Sequence, residues 1–124
     1  MSQDILADTL NQMMNAKKAK KTSVTVKIHS KLLLSVLALA KLKGYVKSYT
    51  KTEAGFTIEF GKLNGCNAIK PRFVVNSDDY EFYSKRYLPS KDLGILIVST
   101  SQGLMIHQTA DEKKIGGSLL AYFY

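Results

Sequence analysis

Two periods of hydrophobic residues alternate along the first half of the chain. Apolar residues spaced three and four apart predict amphipathic helices, and apolar residues at every second position predict half-buried strands. In chain order the pattern predicts a helix, a strand, a helix and two strands, over residues 4–18, 22–29, 31–43, 45–49 and 56–61. Ser30 is placed to cap the second helix, Gly44 to end it, and residues 50–55 to form a hairpin loop. Residues 1–64 are therefore predicted to form an α-β-α-β-β module.

The second half of the chain predicts a smaller share of helix. The predicted elements are a strand, a helix, two strands, a helical turn and a last strand, over residues 66–75, 78–85, 94–98, 104–107, 109–114 and 119–124. Pro71 makes the first of these strands either an edge strand or a strand with a bulge, because proline cannot donate to a sheet ladder. Ser77 is the predicted cap of the helix, and Thr109 with Glu112 has the spacing of a capping box.

Both halves mix helices and strands, which indicates an α+β fold. We predict two small α/β modules, residues 1–64 and 65–124, each with a mixed or antiparallel sheet and helices on one face. Each half is close to the size at which a core alone is marginal, so the modules are expected to pack on each other.

A charge-free strand over residues 94–98 runs into three hydroxyl residues, and Gln102-Gly103 is predicted to turn the chain back. The hydroxyl residues are Ser99, Thr100 and Ser101. Two interpretations remain open. Serine and threonine commonly bond their own backbone at strand ends. Short hydroxyl groups also reach base edges, 2′-hydroxyls and phosphates of a nucleic acid. Glycines allow the backbone to approach such a groove closely, and those nearby are Gly103, Gly116 and Gly117.

The charge of the chain is strongly basic and unevenly distributed. The formal net charge is +8, from 18 lysines and arginines against 10 acidic residues. Residues 1–62 hold eleven lysines and four acidic residues, so most of the excess lies there. This balance favours a polyanionic partner. The densest cluster is Lys17, Lys18, Lys20 and Lys21. It lies at a helix C-terminus, so phosphate contact and simple complementation of the helix dipole both remain open.

Two basic pairs in the second half lie beside aromatic residues. The pairs are Lys70 with Arg72, near Phe73, and Lys85 with Arg86, before Tyr87. Phosphate contact or base stacking suits this arrangement. For either pair alone, a solvated surface role is an equal alternative.

The sequence offers little for catalysis. His107, Asp111 and Glu112 form the only grouping that resembles an acid–base or metal cluster, and no set of residues has metal-ligand spacing. No glycine-rich nucleotide-binding motif occurs. The single cysteine, Cys66, excludes an internal disulfide and is expected to be a buried filler. We therefore expect no enzyme activity, no cofactor, no metal and no small-molecule substrate.

The length of the apolar stretches also argues against a membrane-spanning helix. The longest apolar stretch, residues 32–40, is far shorter than the roughly 20 residues of a membrane-spanning helix. The basic, amphipathic helix over residues 31–43 leaves one alternative function, that of an adaptor which binds acidic proteins or anionic surfaces. The expected location is the cytoplasm.

Several motifs, spread from end to end, resemble one known family. The most specific covers residues 86–103, Arg-Tyr-Leu-Pro-Ser-Lys-Asp-Leu-Gly-Ile-Leu-Ile-Val-Ser-Thr-Ser-Gln-Gly. Further matching segments are residues 4–16, 30–32, 64–73 and 115–124. In order, spacing and length the chain resembles the family of the small-subunit ribosomal protein numbered eight, in its archaeal and eukaryotic-type branch.

The resemblance implies an RNA-binding protein. It implies two packed α/β modules, early binding to the central domain of small-subunit ribosomal RNA, and neighbouring small-subunit ribosomal proteins as further partners in the cytoplasmic ribosome. The hydroxyl turn and the glycine pair would read an irregular RNA helix, and basic residues would hold its backbone. The predicted RNA-binding residues are Ser99, Thr100, Ser101, Gly103, Gly116, Gly117, Lys31, Lys17, Lys18, Lys20, Lys21, Lys70, Arg72 and Arg86.

Three positions depart from the pattern of that family. Ser118 stands where the bacterial branch has glutamate, so no carboxylate contact carries over. Gln102 replaces a basic residue after the hydroxyl turn, and Met13-Met14 replace arginines. The tip is therefore expected to be nearly neutral, with the lysines downstream of Met14 in the role of the missing arginines.

Overall fold

The computed structural model describes residues 5–26, 31–53, 55–89 and 94–124. Within these ranges the helices are α1 Ile5–Lys18, α2 Lys31–Leu42, α3 Tyr80–Tyr87 and α4 His107–Glu112. The strands are β1 Ser23–Val26, β2 Val46–Thr52, β3 Gly55–Phe60, β4 Cys66–Val75, β5 Ile95–Thr100, β6 Gly103–Ile106 and β7 Gly117–Phe123. A 3₁₀ turn, Ser77–Asp79, precedes α3. The predicted α+β class is confirmed.

The chain divides into two compact units, Met1–Asn67 and Ala68–Tyr124. The modules 1–64 and 65–124 stay a prediction.

The first unit holds a three-stranded antiparallel sheet in the order β1-β3-β2. Helix α1 contacts β1, and α2 contacts β2. The apolar stripes that predict the two helices are their buried faces: Leu6, Leu10 and Met13 in α1, and Leu33, Val36, Leu37 and Ala40 in α2. Apolar area removed from water is the main source of stability for such a unit.

Helices α1 and α2 end in the same hydrogen-bond pattern. After α2, Gly44 has a φ of +86°, and the Tyr45 N–H donates to the Ala40 carbonyl at 3.0 Å. After α1, the Lys21 N–H donates to the Ala16 carbonyl at 2.9 Å, and Lys20 takes the left-handed conformation with a φ of +63°. This is the Schellman ending, in which glycine is the usual left-handed residue. Lys20, one of the clustered lysines, therefore helps to end α1 through its backbone conformation.

The second unit holds a four-stranded sheet in the order β4-β7-β5-β6. Strand β4 is an edge strand, as Pro71 predicts. Strand β5 pairs antiparallel with both β6 and β7. Tyr80 of α3 and Ala110 of α4 share a buried cluster with Leu96, Val98, Met105 and Leu119 of the sheet. Both helices therefore cover one face of the sheet. In the strand order, β5 is one of the two inner strands.

Several predicted boundaries are wrong. The hairpin loop over residues 50–55 is mostly strand, because β2 continues to Thr52, which pairs with Gly55. The Thr52 hydroxyl also donates to the Gly55 carbonyl at 3.1 Å, so side-chain bonding tightens the turn. Strand β7 begins at Gly117, two residues before the prediction, because it pairs there with the end of β5. The prediction that β1 continues to residue 29, and the Ser30 cap, lie outside the described residues.

Both predicted caps in the second half are also wrong. Ser77 lies inside the 3₁₀ turn, whose first backbone bond runs from the Asp79 N–H to the Asn76 carbonyl. Helix α4 begins at His107, so Thr109 lies within the helix and cannot form the capping box. The reason is that β6 leads directly into α4, with Ile106 still in an extended conformation. A strand that continues into a helix leaves no loop in which a capping residue could stand.

Candidate RNA interface

The hydroxyl tip is a tight hairpin between β5 and β6. Thr100 pairs with Gly103, so the turn is Ser101-Gln102 and not Gln102-Gly103. The Thr100 hydroxyl donates to the Gly103 carbonyl at 2.8 Å and accepts the Gln102 N–H at 3.1 Å. Thr100 therefore builds the turn, in the way that such residues commonly do.

The two serines of the tip have a different environment. Ser99 and Ser101 are exposed, and neither hydroxyl has a hydrogen-bond partner among the described residues. Ser99 pairs with Leu104 on β6 and with Ser118 on β7. The tip thus presents Ser101 at the turn and the Ser99–Ser118 pair beside it. These hydroxyls can donate and accept hydrogen bonds from outside the protein.

The glycine pair is required by the packing of the strands around this tip. A Cβ atom on Gly117 would lie 2.4 Å from the Ser99 carbonyl oxygen and 2.8 Å from Val98 Cγ1. A Cβ atom on Gly116 would lie 2.5 Å from the Val75 carbonyl oxygen at the end of β4. These three distances are too short for any side chain. The glycines therefore let β7 enter between β4 and β5.

A buried tyrosine holds the segment that leads into the glycine pair. Tyr80 is 1% exposed, and its hydroxyl donates to the Ile115 carbonyl at 2.6 Å. Burial, and secondarily the charge of Asp111, raises the pKa of Tyr80, so this phenol stays protonated as a donor. The bond ties α3 to the chain directly before Gly116.

A bulge in β7 sets which residue faces Ser99. Ile97 pairs with Ala121, whereas the next residue, Val98, pairs with Leu119. Leu120 is therefore the extra residue on β7. Bulges of this kind change which side chains meet across a ladder. Without the bulge, the partner of Ser99 would shift by one position along β7.

The predicted basic residues of the first unit are accessible to solvent. Lys18, Lys20, Lys21 and Lys31 are exposed, and Lys17 is half-buried. The four clustered lysines surround the end of α1, where the helix dipole also favours cations. Of the predicted basic residues in β4, Lys70 and Arg72, the structure describes the strand but not the side chains.

Arg86 does not lie at the hydroxyl tip. Its guanidinium is exposed and sits 5.6 Å from the centroid of the Tyr87 ring. Tyr87 stacks on Tyr122 with a centroid distance of 5.5 Å. Tyr122 pairs with Leu96 near the start of β5, whereas the tip follows the end of that strand. Arg86 and the serines therefore occupy opposite ends of the sheet.

This tyrosine stack was missed by the sequence reasoning. It includes Tyr124, whose ring is 6.0 Å from that of Tyr122 and nearly parallel to it, at 4°. The available signal was the spacing of Tyr122 and Tyr124, since residues two apart in a strand share a face.

The one grouping that suggested catalysis is structural. The Nδ1 atom of His107 accepts the Leu96 N–H at 3.0 Å, and the ring is buried. Burial lowers the pKa of His107, although the nearby Asp111 opposes the shift. Within the described ranges, no three residues of the types His, Cys, Asp and Glu come together as metal ligands.

The single cysteine is an inert core residue. Burial raises the pKa of Cys66 to about 12, and its thiol donates to the Leu10 carbonyl over 3.7 Å. The prediction of a buried filler is confirmed. Among the helices of the described segments, none combines the length and the apolarity that crossing a membrane requires.

Comparison with known proteins agrees with the sequence motifs. A family model described as Ribosomal protein S8 matches residues 4–124. The chain belongs to the ribosomal protein S8 family. A curated relative of this S8-family chain is the small ribosomal subunit protein uS8 of Archaeoglobus fulgidus, at 41% identity over 129 residues. That alignment covers 100% of both chains. The suspected resemblance is thereby confirmed across the whole S8-family sequence.

Proposed function

We propose that this chain is a structural protein of the small ribosomal subunit that binds the central domain of small-subunit rRNA and supports its assembly. The observation that carries the proposal is the pair of exposed hydroxyls, Ser99 and Ser101, which have no hydrogen-bond partner among the described residues, in a chain that matches the S8 family over residues 4–124. The partners are rRNA and neighbouring small-subunit proteins, in cytoplasmic ribosomes.

The hydroxyl tip and the exposed lysines make different contributions to binding. Residues 99–104 carry no charged side chain, so the tip contributes hydrogen bonds and shape. The exposed lysines contribute attraction to phosphates, which is salt-dependent and independent of sequence. Base-edge and 2′-hydroxyl contacts supply selection, because phosphate contacts alone carry no sequence information. In this scheme Thr100 acts only by shaping the turn.

The test is the Ser101→Ala variant. We expect it to weaken binding to a central-domain rRNA fragment by about 1–3 kcal/mol, while binding to a scrambled helix of the same length stays unchanged. Titration of both RNAs gives the two affinities. The matched control is Ser35→Ala, since Ser35 is an exposed serine on α2. Equal losses on both RNAs would remove the selection role of the tip.

A competition experiment distinguishes the alternative adaptor function from rRNA binding. If the chain binds rRNA, small ribosomal subunits should sediment with it at moderate salt, and excess rRNA fragment should displace it from anionic vesicles. Vesicle binding that survives the excess rRNA would favour the adaptor instead.

A further inference from the structure

Three tyrosines of the second unit form a continuous stack. The Tyr87 and Tyr122 rings are 5.5 Å apart at 27°, and the Tyr122 and Tyr124 rings are 6.0 Å apart at 4°. All three pack against the buried cluster and remain partly exposed. Arg86 continues the series at the Tyr87 end, with its guanidinium 5.6 Å from that ring. We call these four residues the Arg–Tyr stack.

The Arg–Tyr stack is separate from the hydroxyl tip. Tyr122 pairs with Leu96, and Ser118 pairs with Ser99. Ser99 lies three positions after Leu96 on β5, and three positions of strand span about 10 Å. Tyr124 lies two positions beyond Tyr122, farther from the tip. The stack therefore cannot share a contact point with Ser101 and has to be explained by itself.

Among the described residues near the stack, Arg86 is a cation without an ion pair. Lys85 reaches Glu81 at 3.6 Å on the exposed surface of α3. Arg86 makes no ion pair with another residue in the described part of the chain. A guanidinium beside parallel aromatic rings provides both a phosphate ligand and a cation–π partner.

Packing alone does not account for this composition. A ring needed only to cover the core would serve equally well without an arginine at the end of the row. Stacked aromatic rings with adjacent cations are instead the surfaces on which single-stranded nucleic acids bind, since every base has a π face. Unpaired RNA bases are commonly recognised in this way.

We propose that the Arg–Tyr stack is a second RNA contact, which binds an unpaired, single-stranded segment. One base stacks on the outer ring, Tyr124, and the backbone runs towards Arg86. The contact tolerates different bases, because it reads a π face and a phosphate. The proposal rests on the proposed function only in taking RNA as the partner.

The experiment uses the full chain and a short single-stranded RNA that carries 2-aminopurine, whose fluorescence falls when it stacks. Wild type should quench the probe. Tyr124→Leu should weaken binding by about 5- to 150-fold, the range for losing one stacked base, and should abolish the quenching. Tyr124→Phe keeps the π face and should stay within about twofold of wild type.

Three further variants guard against misfolding and general charge effects. Arg86→Gln changes an exposed residue and should weaken the same RNA, whereas Arg86→Lys should retain part of the affinity. The matched control is Tyr49→Leu, because Lys41 lies 5.8 Å from the Tyr49 ring in the first unit. This control removes a cation-covered tyrosine elsewhere and should leave the quenching intact.

The outcomes separate this inference from the proposed function. If wild type and Tyr124→Leu bind the single strand equally, the stack is not an RNA contact, even where Ser101→Ala loses the rRNA helix as expected. If neither the wild type nor any variant binds the rRNA helix, the proposed function is wrong. If Tyr124→Leu binds both RNAs normally but no longer enters small-subunit particles, the stack contacts protein and the inference is overturned.

Discussion

The imidazole of His107 can hold its place only while it is neutral. Its Nδ1 atom accepts the Leu96 N–H at 3.0 Å, and protonation of that atom would set two donors against each other. Burial also disfavours the charged ring and keeps the pKa of His107 in the folded chain below its ordinary value, although the nearby Asp111 opposes the shift. His107 alone thus makes the contact between β5 and α4 sensitive to acid.

We therefore predict that the free energy of unfolding falls as the pH drops below about 6.5, the ordinary histidine pKa. The unfolded chain binds the proton more readily, so the stabilisation is complete above that pH and is lost as the pH falls towards the folded-state pKa. Urea unfolding across this pH range, for wild type and His107→Gln, measures the effect. Parallel pH curves for the two proteins would show that His107 is not the cause.

At the hydroxyl tip, sequence chemistry suggested two roles, turn bonding and contact with nucleic acid, but could not assign them to residues. Serine and threonine have the same donor and acceptor groups, so only coordinates show that Thr100 bonds its own turn. The exposure of Ser99 and Ser101 depends on the strands at either side. The reason for Gly117 was also hidden, because its neighbour Ser99 is distant in sequence.

Helix ends show a related difference between pattern and structure. The apolar stripes of α1 and α2 were predictable, since burial of one face is written in their spacing. The ends depend on backbone conformations that lysine rarely adopts. Lys20, at a φ of +63°, and Lys114, at a φ of +56°, both occupy positions where glycine is usual. No sequence rule predicts a lysine there.

We predict that Lys20→Gly stabilises the chain by about 1 kcal/mol, because a left-handed conformation strains every residue that has a Cβ atom. Lys18→Gly should instead destabilise it, by up to about 1 kcal/mol, since Lys18 has helical geometry in α1. The two variants remove the same charge. Urea unfolding compares their stabilities, and equal changes would mean that the ending of α1 carries no strain.

Across the whole molecule, most of the basic charge and the proposed recognition elements lie on different units. The clustered lysines belong to the first unit, whereas the hydroxyl tip and the Arg–Tyr stack belong to the second. Composition alone predicted the basic first half, because charge is additive along a sequence. Composition could not show that the hydroxyl tip and the Arg–Tyr stack lie at opposite ends of the second sheet. That placement depends on the register of β7 against β5.

The lysine cluster should therefore act on every RNA alike. Replacing Lys17, Lys18, Lys20 and Lys21 together by glutamine should weaken specific and scrambled RNA equally. The slope of log K against log salt should become shallower by about 0.7–0.9 for each lysine that contacts a phosphate. Titrations at several salt concentrations measure the slope.

A second quadruple variant provides the control. Replacing Lys43, Lys47, Lys51 and Lys62 by glutamine removes the same charge from exposed positions of the same unit. If both variants change the slope equally, the cluster has no privileged contact, and the net charge acts as a whole.

The close passage of Gly117 past Ser99 also has a consequence during synthesis. The β5–β6 hairpin leaves the translating ribosome before β7, because β7 comes later in the chain. Until β7 emerges, Ser99 lacks its neighbour Ser118 and the bulge that aligns it. A nascent chain therefore carries the three hydroxyls early but acquires their final arrangement late. Under the proposed function, selective binding of RNA therefore requires β7 as well as the hairpin.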